Sequence, residues 1–328
     1  MTVACLFSFL LLYGVLVGNE LSVALIFIFP LFTLFNIFIY VELSKCYDLN
    51  RYIYHYYLAS IFVSLKILLL CYFFTNNIMT EYLPIYDSAI ESQPSWIALN
   101  AGYVRVFVGQ AVIIPIGLLF SYYLYGKISY SLFLISFTAL LITQTTVLWI
   151  IFLFVFGYLI CIHYKSFYKY VYLVFALLFF ITFIIISYDQ LADVILNKTI
   201  NSSPVKFAQL DIAGKAIAHN LLFGYGLGHI YSNGSYNIEV VILHVLSTTG
   251  IVGFLFYLYM LFYWTVISFI YVKNDRLIRV LFLSYTSIVF ASFSNPYLIG
   301  GNSGLFLIPI IAARYLQIKK VNPYFPCG

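Results

Sequence analysis

Charge is what this sequence lacks. Only 8% of its 328 residues are Asp, Glu, Lys or Arg, against 64% hydrophobic; a soluble domain carries about 25% charged residues. A water-soluble fold of this length needs far more polar surface than these side chains supply. Paired cysteines are missing as well. Cys5, Cys46, Cys71, Cys161 and Cys327 are scattered with no CxxC spacing, which argues against a disulfide framework or a thiolate metal site. The first apolar run has neither a basic start nor a small-residue cleavage site, so it does not read as a cleavable signal peptide. No acidic cluster has metal-ligand spacing, so chemistry without metal or cofactor is expected. Nucleic acid is not expected as a partner.

What is abundant is apolar length. Mean hydropathy is +1.01. Runs such as 21–41, 168–186 and 251–272 each match the roughly 20 apolar residues that cross a bilayer's hydrocarbon. The expected fold is all-α: a polytopic transmembrane helical bundle forming one integral membrane domain over 1–328. Ten spans are expected, near 2–18, 21–42, 56–75, 103–125, 128–143, 145–163, 168–187, 240–272, 277–294 and 300–318. Residues 128–163 are too long for one helix. Their polar break, Thr143-Gln144-Thr145-Thr146, predicts a tight helical hairpin.

Basic residues orient these spans. With the N-terminus inside, Lys45, Arg51, Lys127, Lys165, Lys169, Lys273, Arg276, Arg279, Arg314, Lys319 and Lys320 fall on the cytoplasmic side. Arg105, Lys198, Lys206 and Lys215 fall outside, and Lys66 lies within a span. This asymmetry follows the positive-inside rule, so both termini are expected in the cytoplasm. Two outward loops result. The first, 76–102, holds Glu81, Asp87, Glu91 and Trp96; the second, 188–239, precedes span 8 and is much the longer. Long loops in compact folds are usually functional or disordered. The helix-like spacing of Phe207, Leu210, Ile212, Ala216 and Ile217 predicts short packed helices within this one. The N-x-S/T triplets at Asn197, Asn201 and Asn233 fit an Asn/Ser-rich loop and need no glycan.

The most informative segment is 206–258. Gly224, Gly226 and Gly228 alternate after an amphipathic stretch, with no strand or βαβ unit to make them a dinucleotide fingerprint. They form either a tightly turned loop or a backbone that approaches a ligand closely, since glycine has no Cβ. Glu239 and His244 follow at the head of a very apolar helix. Titratable groups at such depth usually face the bundle interior or a wet cavity. Glu239 could equally be a helix N-terminal charge, and His244 a structural hydrogen-bonding group. Five residues apart, the two lie roughly 140° from each other on a straight helix, so they do not form a dyad unless the helix starts after Glu239. Arg105, at the outward end of its span, either snorkels to the interface or offers a planar fork to phosphate.

The run Ile217-Ala-His-Asn-Leu-Leu-Phe-Gly-Tyr-Gly-Leu-Gly228, the large outward loop, and the helix head from Glu239 to Thr249-Gly-Ile-Val-Gly253 together resemble the bacterial O-antigen polymerase and O-antigen ligase superfamily. The motif region covers about 50 residues. Lys206 stands where the family often has arginine, Glu239 where ligases usually carry histidine, and Gln144-Thr145-Thr146 where a Ser-Arg pair is frequent. These departures favour the polymerase branch.

The resemblance implies a glycosyltransferase of the bacterial inner membrane. It would move a growing surface polysaccharide from undecaprenyl pyrophosphate onto the next lipid-linked repeat unit, at the periplasmic face. Its partners would be the lipid-linked oligosaccharide, the bilayer, a chain-length regulator and a flippase. Arg105, Lys206, Lys215, His219, Gly224, Gly226 and Gly228 would bind pyrophosphate or glycan, and Glu239 or His244 would take the acceptor proton. The alternatives are an O-antigen ligase using lipid A core as acceptor, and a polysaccharide flippase. A transporter would place charges near the midplane and show repeated halves or broken helices, whereas here polar groups gather in one outer loop and only Lys66 is plainly within a span.

Overall fold

A computed structural model describes residues 2–25, 39, 42, 48–85, 95–100, 102–164, 170, 171, 174, 178, 188–231, 238, 240–271, 275–292 and 304–321. The elements run α1 (Thr2–Leu16), α2 (Asn50–Thr75), β1 (Ser95–Asn100), β2 (Tyr103–Val108), α3 (Ile113–Tyr125), α4 (Tyr130–Thr143), α5 (Thr146–His163), α6 (Tyr188–His219), α7 (Val241–Tyr271), α8 (Arg276–Ala291) and α9 (Gly304–Val321). Helix dominates, as expected. Two compact units form, one of residues 50–203 and one of 1–49 with 204–328.

Among the described residues three helices are long and apolar enough to cross a membrane: α2, α5 and, within α7, Val241–Tyr259. Only 17% of the most apolar window of α2 is buried within the protein, and Phe62, Leu65, Leu69 and Tyr72 stand on its exposed surface. That face would be intolerable in water and is natural against lipid, where a helix satisfies its own backbone. The predicted spans 21–42 and 168–187 fall largely outside the described residues.

The unit of residues 50–203 corrects the all-helical expectation. The span expected over 103–125 is instead a strand, a 3-10 turn (Gly109–Val112) and the 13-residue helix α3. β2 pairs antiparallel with β1, placing Trp96 opposite Phe107 and Asn100 opposite Tyr103, and Gly102 takes φ 80 in the connection. The reason is periodicity. Ile97, Val106 and Val108 fall on one face at intervals of two and are fully buried, as β-branched side chains on a pleated surface favour.

The hairpin predicted at 143–146 is present. Gln144 ends α4 in the left-handed region, φ 52. Thr143, Gln144 and Thr145 are buried, yet their polar atoms are used: Thr143 Oγ1 donates to the Leu140 carbonyl at 2.7 Å and accepts from the Thr145 N–H at 3.3 Å. Asn100 Nδ2 donates to Gln144 Oε1 at 2.6 Å, tying the strand hairpin to the helical one. At Gly117 of α3 a Cβ would collide with Ser60 of α2; small residues bring helix backbones close in this way.

In the other unit α8 starts on Asp275, whose carboxylate accepts the Ile278 N–H at 2.9 Å as an N-cap. The same carboxylate pairs with Arg314 of α9 at 2.8 Å. The short helices expected within 188–239 are replaced by one 32-residue helix, α6, whose residues from Pro204 onward belong to this unit. Its last turns pack Ala213 and Ala216 against Tyr231 and Ile238.

Candidate functional site

The segment 220–231 is threaded onto the head of α7. Gly224, Gly226 and Gly228 all have positive φ, between 65 and 85. Opposite them α7 is broken at Gly250, φ 63 and ψ −169. The break and the turn are complementary. In an unbroken helix the carbonyls of Ser247 and Thr248 would accept from the N–H groups of Ile251 and Val252. Here those carbonyls accept from Tyr225 N–H (3.0 Å) and Gly226 N–H (2.8 Å). The freed Ile251 and Val252 N–H groups donate to Leu221 O (2.8 Å) and Leu222 O (3.3 Å). All four backbone groups stay satisfied, which an apolar setting demands.

α1 and the residue chain after it close the other side. Asn19 Nδ2 donates to the carbonyls of Tyr225 (2.7 Å) and Leu227 (3.2 Å), and the Tyr13 hydroxyl to that of Gly224 (3.3 Å). A Cβ on Gly224 would lie 2.5 Å from the Thr248 carbonyl carbon, and one on Gly226 2.5 Å from Gly14 Cα. On Gly228 it would lie 2.7 Å from the Glu20 oxygen. Close approach by the protein's own backbone therefore accounts for these glycines without a ligand.

Beyond the glycines the chain forms an aromatic cluster. The His229 ring stacks on Tyr225 (centroids 4.3 Å, 18° between planes) and meets Tyr231 edge-on at 4.9 Å. The Tyr231 hydroxyl shares a 2.6 Å hydrogen bond with Ser247 Oγ. Partial burial lowers the pKa of His229 below its usual value, so the imidazole is neutral at pH 7. Burial pushes the Tyr231 phenol up to about 12, its hydrogen bond with Ser247 acting in the opposite direction.

His244 sits one turn into α7 and is 2% exposed. Its Nδ1 accepts the Ile238 N–H at 3.4 Å, and its carbonyl accepts from Thr248 Oγ1 at 2.7 Å. It thus pins the approach to α7 onto the helix head. Glu239 lies outside the described residues; α7 begins after it, at Val241.

The remaining predicted residues are spread over the fold. Lys215 pairs with Asp211 at 2.6 Å on an exposed face of α6. His219 ends α6 and is exposed, and Lys206 is half-buried near the middle of that helix. Arg105 lies on β2, with its guanidinium 5.0 Å over the Trp96 ring and its Nε donating to the Thr143 carbonyl at 3.4 Å. Lys66 reaches Ser95 Oγ at 3.5 Å. Among the described residues no group of three His, Cys, Asp or Glu side chains could hold a metal ion.

The chain matches no protein-family model and no curated protein sequence. The geometry adds residues that sequence reasoning did not single out: Asn19, Tyr225, His229, Tyr231 and Ser247. A signal for some of them exists, since Tyr225 sits between two of the glycines and His229 directly follows the third.

Proposed function

We propose that the chain is a surface-polysaccharide polymerase of the O-antigen type. It crosses the bacterial inner membrane about ten times with both termini inside, and transfers a growing glycan from undecaprenyl pyrophosphate onto the next lipid-linked repeat unit at the periplasmic face. One observation carries this reading. The two parts of the motif region, 221–228 and 247–253, are hydrogen-bonded backbone to backbone as a single unit. A resemblance that rests on both parts is thereby supported by their physical linkage.

The chemistry asks for two things. Negative charge develops on the departing pyrophosphate, and fixed cations stabilise it; the resemblance gives that role to cations such as Lys206 and Lys215 of α6. The acceptor hydroxyl needs a proton acceptor close to the outward head of α7, where Glu239 and His244 stand in sequence. The apolar exposed faces of the helices suit a polyprenyl tail.

The test is glycan display in a strain lacking this gene. The polymerase reading predicts loss of long chains, with a single repeat unit still capping the lipid core. Complete loss of the capped core favours the ligase, and cytoplasmic build-up of lipid-linked units favours the flippase. Unchanged glycan refutes all three.

A further inference from the structure

The residue that takes the acceptor proton is open to assignment, and resting on the glycan-transfer reading, we propose that it is His229. Three described histidines lie in the segment after Pro204, and geometry separates them. His219 is exposed at the end of α6. His244 is enclosed and its Nδ1 is already occupied by the Ile238 N–H. His229 is half-exposed, and its ring is oriented from two sides by Tyr225 and Tyr231.

Three features suit it to the task. Among the described residues no protein hydrogen bond engages its ring nitrogens, so one is available to a hydroxyl at the surface. Tyr231 is itself fixed by the hydrogen bond with Ser247 in the head of α7, which makes the ring's position depend on the interlocked turn. The preceding backbone is held rigid by Asn19 and by the broken helix. A base held this way loses little freedom when a substrate arrives.

The acceptor hydroxyl oxygen bonds to the anomeric carbon of the donor glycan. The bond from that carbon to the pyrophosphate oxygen breaks, and its electron pair leaves with undecaprenyl pyrophosphate. The hydroxyl proton passes to a His229 ring nitrogen and from the imidazolium to water.

Membranes containing the full chain, supplied with lipid-linked oligosaccharide extracted from the gene-deleted strain, provide the assay, read as a product ladder. His229→Ala and His229→Gln are expected to lower the maximal elongation rate about 100-fold, with half-saturation by the lipid-linked extract little changed. Added imidazole is expected to restore a measurable part of the His229→Ala rate, which no purely packing role would allow. A normal rate in both variants, or a loss in His229→Ala that imidazole does not relieve while His229→Gln is normal, overturns the assignment and leaves the glycan-transfer reading intact. Absence of any ladder from the unmodified chain overturns both.

Discussion

Substituting Gly226 by alanine isolates the interlock between the glycine turn and α1. Gly18 supplies the control within the same unit. Both glycines have positive φ, +84 and +91, but nothing lies within 4 Å of a Cβ built on Gly18. Each alanine therefore carries the left-handed backbone penalty of about 1–2 kcal/mol. Only Gly226→Ala also drives a methyl group to 2.5 Å from Gly14 Cα and 2.9 Å from Asn19 Nδ2. Overpacking of this kind costs about 1–3 kcal/mol. Displacing the Asn19 amide from the Tyr225 and Leu227 carbonyls adds about 1 kcal/mol. The turn variant should be less stable than the control by about 2–4 kcal/mol. The full chain in detergent micelles, unfolded by rising SDS and followed by circular dichroism, measures this difference. Equal midpoints for Gly226→Ala and Gly18→Ala would mean that the close approach of turn and helix does not exist.

Three further substitutions probe other joints. Asp275→Ala removes both the α8 cap and the Arg314 pair and should destabilise by about 1–2 kcal/mol; Asp275→Asn keeps the cap and should lose less in the same unfolding assay. Gln144→Gly relieves the left-handed backbone that Gln144→Ala retains, so the glycine variant should be the more stable by about 1 kcal/mol, although both lose the Asn100 bond. Arg105→Lys forfeits the planar contact with Trp96 and the bond to Thr143. At unchanged protein level it should shorten the displayed glycan, as judged from the ladder of chains on a gel.

Sequence reading reached different depths in different places. Apolar length alone located α2, α5 and α7, because a run of about 20 such residues has few destinations besides a bilayer. The four polar residues 143–146 marked the turn between α4 and α5, since buried polar groups need local partners and a hairpin supplies them. The strands were hidden for the opposite reason. Tyr103–Val108 joins an apolar run long enough for a span, and its alternation of Val104, Val106 and Val108 is overwhelmed by that length. Gly102, between two short runs rich in aromatic and aliphatic residues, was the available signal.

The candidate site was partly legible. Three glycines in alternation announced an unusual backbone, but not what met it. Their contacts come from Gly14, Asn19 and Glu20, some 200 residues earlier in the chain, and from a helix break whose acceptors are main-chain carbonyls that no side-chain pattern reveals. A histidine in a loop carries no spacing signal, and the orientation of His229 comes from rings on either side of it.

Lipid vesicles isolate glycan transfer from every other step of surface display. The purified full chain is placed in lipid vesicles with the oligosaccharide extract of the gene-deleted strain, and products are resolved by size. The account predicts a ladder of two or more repeat units, with free undecaprenyl pyrophosphate released in step. Lipid-linked units that cross the vesicle membrane without lengthening would contradict it.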